Sequence, residues 1–277
     1  MLRNLLLLCS VAGLVLGPST AYAIPPIDLT TAATTLTSSV DDVVWSNTLL
    51  FQATGTGGFD PFLRVHDQQN YGGTPLGVEE GMNTDGARLY EQLGGGDPHT
   101  HAIQFGELQI ENIGGQDYYV FTLDFAEPTG QDFEFLTIEE LRMHSVDEAA
   151  GGALTTEADV IGAAGSIEHY DLDQTQNQTV FLDYTVSNQG NGQSDIDFYI
   201  PVSYFAGATD SDYFYTYIKF GRADTFEGVS WAADGSFEEL RVLTKTGGRG
   251  NAPEPGTIAL FGIGLAGLAV GLRKNKK

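Results

Sequence analysis

Hydrophobic and polar residues alternate along much of this 277-residue chain with the two-residue period of β-strands. In one run, the apolar side is formed by Tyr119, Phe121, Leu123 and Phe125. Because successive side chains of a strand point to opposite faces, this spacing predicts a strand with one buried face. The same spacing recurs at residues 180–186, 196–202, 213–220 and 237–244.

Other stretches allow more than one interpretation. Residues 135–144 (FLTIEELRMH) fit a strand, and a short helix over 138–148 is the alternative; we favour the strand. Between 103 and 110 the apolar positions change sides at Gly106, which predicts a β-bulge there. Residues 30–39 (TTAATTLTSS) are expected to be a weakly structured lead-in.

Clusters of turn-forming residues separate these runs, among them GTGG, GGG, IGGQD, NQGNGQ and GGRGN. About nine or ten strands with turns at this spacing predict an all-β fold, a single β-sandwich of jelly-roll type. We expect this sandwich to occupy residues 24–243 and a flexible linker to follow at 244–252.

Charge is distributed unevenly along the chain. The whole sequence has 13 Lys and Arg residues against 37 Asp and Glu residues, a formal net charge of −24. Five of the basic residues but only one acid, Glu254, lie outside residues 24–252, which therefore hold 8 basic and 36 acidic residues and a net charge of −28. Such a surface repels nucleic acid phosphates and anionic lipids. We expect no nucleic-acid partner; divalent cations, cationic polymers and neutral sugars stay open, as does a role in solubility alone.

Residues 1–23 have the three parts of a secretory signal peptide. Arg3 provides a positive start, residues 5–16 are apolar, and Ala21 and Ala23 place small side chains at −3 and −1 of a cleavage site before Ile24. The single cysteine, Cys9, lies within this segment. We therefore expect an exported mature protein without a thiol or a disulfide.

The last 25 residues also have three parts. Pro253, Glu254 and Pro255 form a stiff extended element, since proline fixes φ and disfavours helix in the residue before it. Residues 257–272 are uncharged and would form a transmembrane helix of about 24 Å, slightly short of a hydrocarbon layer of about 30 Å. The basic residues of 273–277 (RKNKK) would hold its end in the cytoplasm.

The Pro253-Glu254-Pro255 element, the short glycine-rich span and a basic terminus led by Arg273 resemble the PEP-CTERM sorting signal of Gram-negative bacteria. The resemblance implies that an exosortase, an integral-membrane cysteine transpeptidase, cuts near the PEP element. The protein would be anchored transiently in the inner membrane and then reach the cell surface or extracellular matrix, often in an exopolysaccharide context.

A second, looser resemblance lies in the middle of the chain. The segments SDIDFYIPVSYF, DSDYFYTYIKFG and ADGSFEELRVL are similar to the last third of all-β ectodomains that PEP-CTERM proteins often carry. This resemblance implies the fold and the group, and it implies no activity.

Paired aspartates suggest a calcium site, because calcium takes several carboxylate oxygens. Asp195 and Asp197 lie opposite the apolar side of the predicted strand 196–202, so both should point away from the core. We predict that they bind Ca²⁺; a solvated acidic face is the alternative. His99 and His101, near Asp97, fit part of a zinc or copper site, or are exposed loop histidines.

Catalytic motifs are weak in this sequence. GVSWA at 228–232 is only half of a Gly-x-Ser-x-Gly motif, and neither HExxH nor a phosphate-binding Gly-Lys-Ser/Thr loop occurs. We therefore expect no enzyme activity. Aromatic residues could stack on sugars or simply pack against each other; the candidates are Tyr199, Tyr213, Tyr215 and Tyr217.

The leading interpretation is a secreted, non-catalytic structural or interaction protein associated with exopolysaccharide or biofilm. A carbohydrate-binding module is the alternative, and a hydrolase acting on polysaccharide is a third.

Overall fold

The structure, a computed structural model, describes residues 25–49, 59–66, 77–84, 99–129, 134–148, 154–187, 192–222, 225–226, 228–233, 235 and 237–245. The predicted signal peptide with Ala21 and Ala23 lies outside these residues. So do most of the predicted linker and the whole predicted sorting tail with Pro253, Glu254, Pro255 and Arg273.

The described residues form mostly β-strands. In chain order these are β1 (Ile27–Asp28), β2 (Thr35–Thr37), β3 (Val44–Ser46), β4 (Leu63–Val65), β5 (Glu79–Met82), β6 (Ile103–Gln104), β7 (Ile110–Ile113), β8 (Gln116–Asp124), β9 (Phe135–Val146), β10 (Ile167–Asp171), β11 (Val180–Asp183), β12 (Ile196–Pro201), β13 (Tyr213–Phe220), β14 (Thr225–Phe226), β15 (Val229–Ser230) and β16 (Glu238–Val242). One α-helix, α1 (Glu157–Gly162), and three 3₁₀ turns at Phe105–Glu107, Tyr184–Val186 and Val202–Phe205 accompany them. The predicted all-β class is confirmed.

Two seven-stranded sheets contain nearly all of these strands. Sheet A has the order β1-β11-β9-β13-β5, with β10 paired to β9 and β6 paired to β13. Sheet B has the order β2-β3-β12-β8-β16-β4, with β7 paired to β8. Strands β14 and β15 form a separate small hairpin.

The two sheets pack face to face through one large hydrophobic core that draws residues from both. At its centre, the ring of Phe214 on β13 lies 5.6 Å from that of Phe121 on β8. Phe121 stacks on Phe198 at 5.2 Å, and Phe198 stacks on Trp45 at 4.7 Å. This row of rings runs from the middle of sheet A across three strands of sheet B, because β8, β12 and β3 are neighbours in register. The aromatic row therefore joins the two sheets.

Several sequence predictions correspond closely to observed strands. Strand β13 covers the predicted range, and β9 shows that 135–144 is a strand and not a helix. The predicted strands 180–186 and 196–202 end earlier, because each turns into a 3₁₀ helix.

Two local predictions are wrong. Gly106 is not a β-bulge but part of the 3₁₀ turn, where a side-chain carbon would lie 2.7 Å from the carbonyl oxygen of Asp210. The lead-in 30–39 contains strand β2, which joins the edge of sheet B through β3. Five of the ten residues in 30–39 are threonines and only Leu36 is a large apolar residue, which hid this edge strand, since an edge needs little burial.

Helix α1 was not predicted from the sequence. Its start is fixed by Thr156 and Asp159, which cap each other: the Asp159 amide donates to Thr156 Oγ1 at 2.9 Å and the Thr156 amide donates to Asp159 Oδ2 at 3.0 Å. Glu157 also forms an ion pair with Arg142 of β9 at 2.7 Å. None of the helices in the described ranges is long and apolar enough to pass through a lipid bilayer.

We expect Phe214→Ala to lower the free energy of unfolding by about 3–5 kcal/mol, because the loss of a fully buried ring leaves a cavity between the sheets. Denaturant unfolding of the purified protein measures this change. Ile161→Ala on α1 is the control, since that side chain is 55% exposed and should change stability little. Equal losses for both variants would contradict the central role of the aromatic row.

Candidate functional site

Asp195 and Asp197 lie on the outer side of sheet B, but neither is exposed to solvent. Their side chains are 1% and 0% exposed, so the alternative of a solvated acidic face is wrong. Asp197 accepts hydrogen bonds from Thr122 Oγ1 at 2.7 Å and from the Tyr199 hydroxyl at 3.1 Å. Asp195 accepts one from the amide of Phe125 at 2.8 Å. The two aspartates therefore have different protein partners.

Asp195 has a second carboxyl group beside it, that of Asp124 at the end of β8. Burial and the negative charges of Asp195 and Glu239 raise the pKa of Asp124 to about 8, against the opposing effect of the Gly192 amide, which donates to Asp124 Oδ2. Two carboxylates this close and this buried favour a shared proton. The raised pKa of Asp124 therefore favours one protonated carboxyl group in this pair at neutral pH.

Arg241 of β16 contributes a buried positive charge to this outer face. It is 1% exposed, its Nη2 donates to Ser194 Oγ at 3.1 Å, and its guanidinium lies 4.8 Å from the centre of the Phe59 ring. Burial lowers its pKa, and the charges of Asp197 and Asp124 oppose that shift. Nearby, Arg64 forms an ion pair with Glu239. Arg241 thus partly neutralises the buried aspartates.

A second cluster of buried acidic side chains lies between the two sheets. Glu238, Glu79 and Glu127 are at most 3% exposed. Burial, followed by the charges of Glu79 and Glu127, raises the pKa of Glu238 well above its ordinary value. Glu238 follows the same two-residue parity as Leu240 and Val242, both of which point into the core. That parity was the sequence signal for its burial, and the sequence interpretation missed it.

The described residues do not form a cluster of metal ligands. No three His, Cys, Asp or Glu side chains among them are arranged to hold a metal ion together. His99 and His101 are half-buried, and Asp97 lies outside the described residues. Calcium at Asp195 and Asp197, and zinc or copper at the histidines, stay predictions.

A surface pocket of about 260 Å³ lies on the outer face of sheet B, beside Asp197. It crosses strands β2, β3, β12, β8 and β7, and its lining residues are Thr35, Val44, Ser46, Thr48, Leu49, Ile113, Tyr118 and Tyr199. The register explains the convergence: Tyr199 is opposite Val44 on one side and Val120 on the other, and Thr35 is opposite Ser46. Residues directly opposite each other on adjacent strands point to the same face of the sheet, so these side chains meet.

Two tyrosine rings form adjacent walls of this pocket. The rings of Tyr118 and Tyr199 are 6.2 Å apart and inclined by 81°. The Tyr199 hydroxyl donates a hydrogen bond to the buried Asp197, which restrains the position of the Tyr199 ring. Tyr199 was a predicted sugar-stacking residue, whereas Tyr118 was not. Tyr215, also a candidate, is 0% exposed in sheet A and does not offer its ring to a ligand in this structure; Tyr217, at 5% exposure, lies outside this pocket, and its stacking role stays a prediction.

A serine–histidine contact occurs at a position that the sequence did not indicate. Ser145 Oγ lies 2.7 Å from His169 Nε2, and His169 Nδ1 faces the carbonyl oxygen of Tyr204 at 3.2 Å. Burial lowers the pKa of His169. Ser145 is only 1% exposed, so a substrate has no access to its hydroxyl in this conformation. The contact is consistent with a role in packing.

The described residues form an all-β sandwich with a pocket on its outer face, and comparison with known families assigns the tail. A family model described as the PEP-CTERM protein-sorting motif matches residues 251–275. The chain therefore carries the PEP-CTERM sorting motif, which implies export, transient anchoring in the membrane and processing by exosortase. No curated protein and no solved structure matches the chain.

We expect the stability of the wild-type protein to fall, relative to Asp124→Asn, as the pH rises from about 4 to about 8. The folded state keeps the proton on Asp124 up to about pH 8, while the unfolded state loses it near 3.8, so ionisation favours unfolding in this window. The difference can reach several kcal/mol, at about 1.4 kcal/mol per pKa unit.

Denaturant unfolding of both proteins at pH 4, 6 and 8 measures this difference. Asp117→Asn, at an exposed position on β8, is a matched control that should run parallel to the wild type. If the Asp124→Asn and wild-type curves were also parallel, the buried proton-sharing pair would be disproved.

The predicted calcium site has a direct test in thermal unfolding. Calcium that binds the folded state must raise the melting temperature as its concentration increases. We expect millimolar calcium to raise the melting temperature of the wild type and to have a smaller effect on Asp195→Asn. An unchanged wild-type melting temperature would refute the prediction.

Proposed function

We propose that this protein is a non-catalytic component of the cell surface or extracellular matrix of a Gram-negative bacterium, where it associates with exopolysaccharide. The observation that carries the proposal is the sorting motif at residues 251–275, because it connects the protein body to export and exosortase processing. The location at the cell surface and the association with polysaccharide are the parts of the proposal that go beyond the motif.

The body of the protein supports this role in two ways. Residues 24–252 have a net charge of −28, which keeps a released protein soluble and away from anionic membranes. A core that joins both sheets gives a rigid unit without help from a disulfide. Such a unit can present its outer faces to a matrix polymer.

A carbohydrate-binding module is the second candidate function. It is favoured by the pocket that Tyr118 and Tyr199 help to line, because concave sites with aromatic walls and a few polar groups are typical of small-ligand binding. No observation in the described residues favours the third candidate, a polysaccharide hydrolase.

The tail predicts a specific defect. We expect replacement of Pro253, Glu254 and Pro255 by alanine to leave unprocessed protein in the inner membrane, because the exosortase would lose its recognition element. Membrane fractionation and mass spectrometry of the C-terminus measure the outcome. Alanine at Thr246, Gly247 and Gly248 is the control, since this substitution lies upstream of the matched motif. Equal release of both variants would contradict processing at this element.

A further inference from the structure

We propose that the pocket on the outer face of sheet B binds a neutral, N-acetylated sugar residue of a polysaccharide. The inference rests on the proposed association with exopolysaccharide and names the ligand class for one site. It follows from the size of the pocket, its charge and the arrangement of its aromatic, aliphatic and hydroxyl groups.

The size of the pocket suits a single sugar ring. Its volume of about 260 Å³ is below the range of about 300–1,000 Å³ that is typical of sites for drug-sized ligands. It is also an open site on a sheet face, lined by residues of five strands and of the segment after β3, so a ring within a chain can enter from the side. A monosaccharide unit of a polymer fits both features.

The two tyrosines provide apolar surfaces at nearly right angles. A pyranose ring has a face of C–H groups that packs on an aromatic ring, and the inclination of 81° lets one tyrosine contact that face while the other contacts its edge. Tyr199 is 7% exposed and fixed by its hydrogen bond to Asp197. This wall is in place before the ligand arrives, so little conformational entropy is lost on binding.

The charge of the protein selects against acidic sugars. None of the eight lining residues carries a formal charge, and residues 24–252 have a net charge of −28. A uronic acid or a sulfated sugar would be repelled by the body and would find no positive charge in the lining. A protonated amino sugar would have to leave water for a lining without a carboxylate. A neutral sugar avoids both penalties.

The remaining lining residues match an acetamido group. Val44, Leu49 and Ile113 offer an aliphatic surface for its methyl group, and Ile113 is 37% exposed without such a ligand. The hydroxyls of Thr35 and Ser46 lie 2.7 Å apart, and Ser46 Oγ lies 2.9 Å from the carbonyl oxygen of Thr48. Ser46 Oγ also accepts from the Thr48 amide at 3.0 Å, so Thr35 Oγ1, which donates to Ser46, is the hydroxyl with a lone pair left to accept from the acetamido N–H.

Calorimetry with the processed protein tests the proposal. The probes are an N-acetylglucosamine oligomer, the same oligomer without its acetyl groups, an unmodified glucose oligomer and a glucuronic acid oligomer. We expect the acetylated oligomer to bind at least tenfold more tightly than the others. Tyr118→Ala should weaken that binding at least tenfold, and Tyr118→Phe should retain it because the ring is kept. Tyr213→Ala, on sheet A and outside the pocket, should bind like the wild type.

Other results would overturn the proposal. If the wild type bound no oligomer, or if Tyr118→Ala bound like the wild type, the pocket would not be the site. If the acetylated and deacetylated oligomers bound equally, the acetamido assignment would be wrong. The proposed function is tested separately through release from the membrane, which does not depend on Tyr118. A protein that is released normally but binds no sugar would therefore refute the inference alone.

Discussion

The packing of aromatic rings between the two sheets is the interaction on which the rest of this structure depends. The body of the protein contains no cysteine, so stability has to come from burial, and its net charge of −28 acts against compactness through self-repulsion. Phe214, Phe121, Phe198 and Trp45 provide a continuous apolar row that holds sheet A against sheet B. Because Phe121, Phe198 and Trp45 lie at matched positions of β8, β12 and β3, the same register also determines which side chains meet on the outer face of sheet B.

The outer face of sheet B carries buried polar side chains, and these change from charged to uncharged along β8 and β12. At one end, Asp124 and Asp195 share a buried environment with Arg241, and the positive charge is smaller than the negative charge around it. At the other end, the eight residues that line the pocket, Tyr118 and Tyr199 among them, are uncharged. Asp197 connects the two regions, since it accepts hydrogen bonds from Thr122 and from the hydroxyl of Tyr199. The buried charges thus help to position one wall of the pocket.

The sequence predicted the fold class well because the two-residue period is a local signal, and β9 and β13 show how far it extends. It could not predict the burial of Asp195 and Asp197. Alternation shows which residues share a face of the sheet, but it does not show that residues on the outer face are also buried. It also missed the pairing of Asp124 with Asp195, which depends on the register between β8 and β12. Tyr199 was found from its parity, but its neighbour Tyr118 comes from another strand 81 residues earlier. Only the sheet order brings these two rings together.

The tail and the body of the protein carry separate information. A sorting motif of about 25 residues acts through recognition by a membrane enzyme, and it places no requirement on the chemistry of the released domain. Any partner that the released body binds has to be selected by the surface of the body itself. Long-range repulsion by an acidic domain keeps it from anionic partners, while short-range contacts in an uncharged aromatic pocket can still retain a neutral one. These two ranges of interaction select against anionic polymers and are compatible with the neutral glycan proposed above.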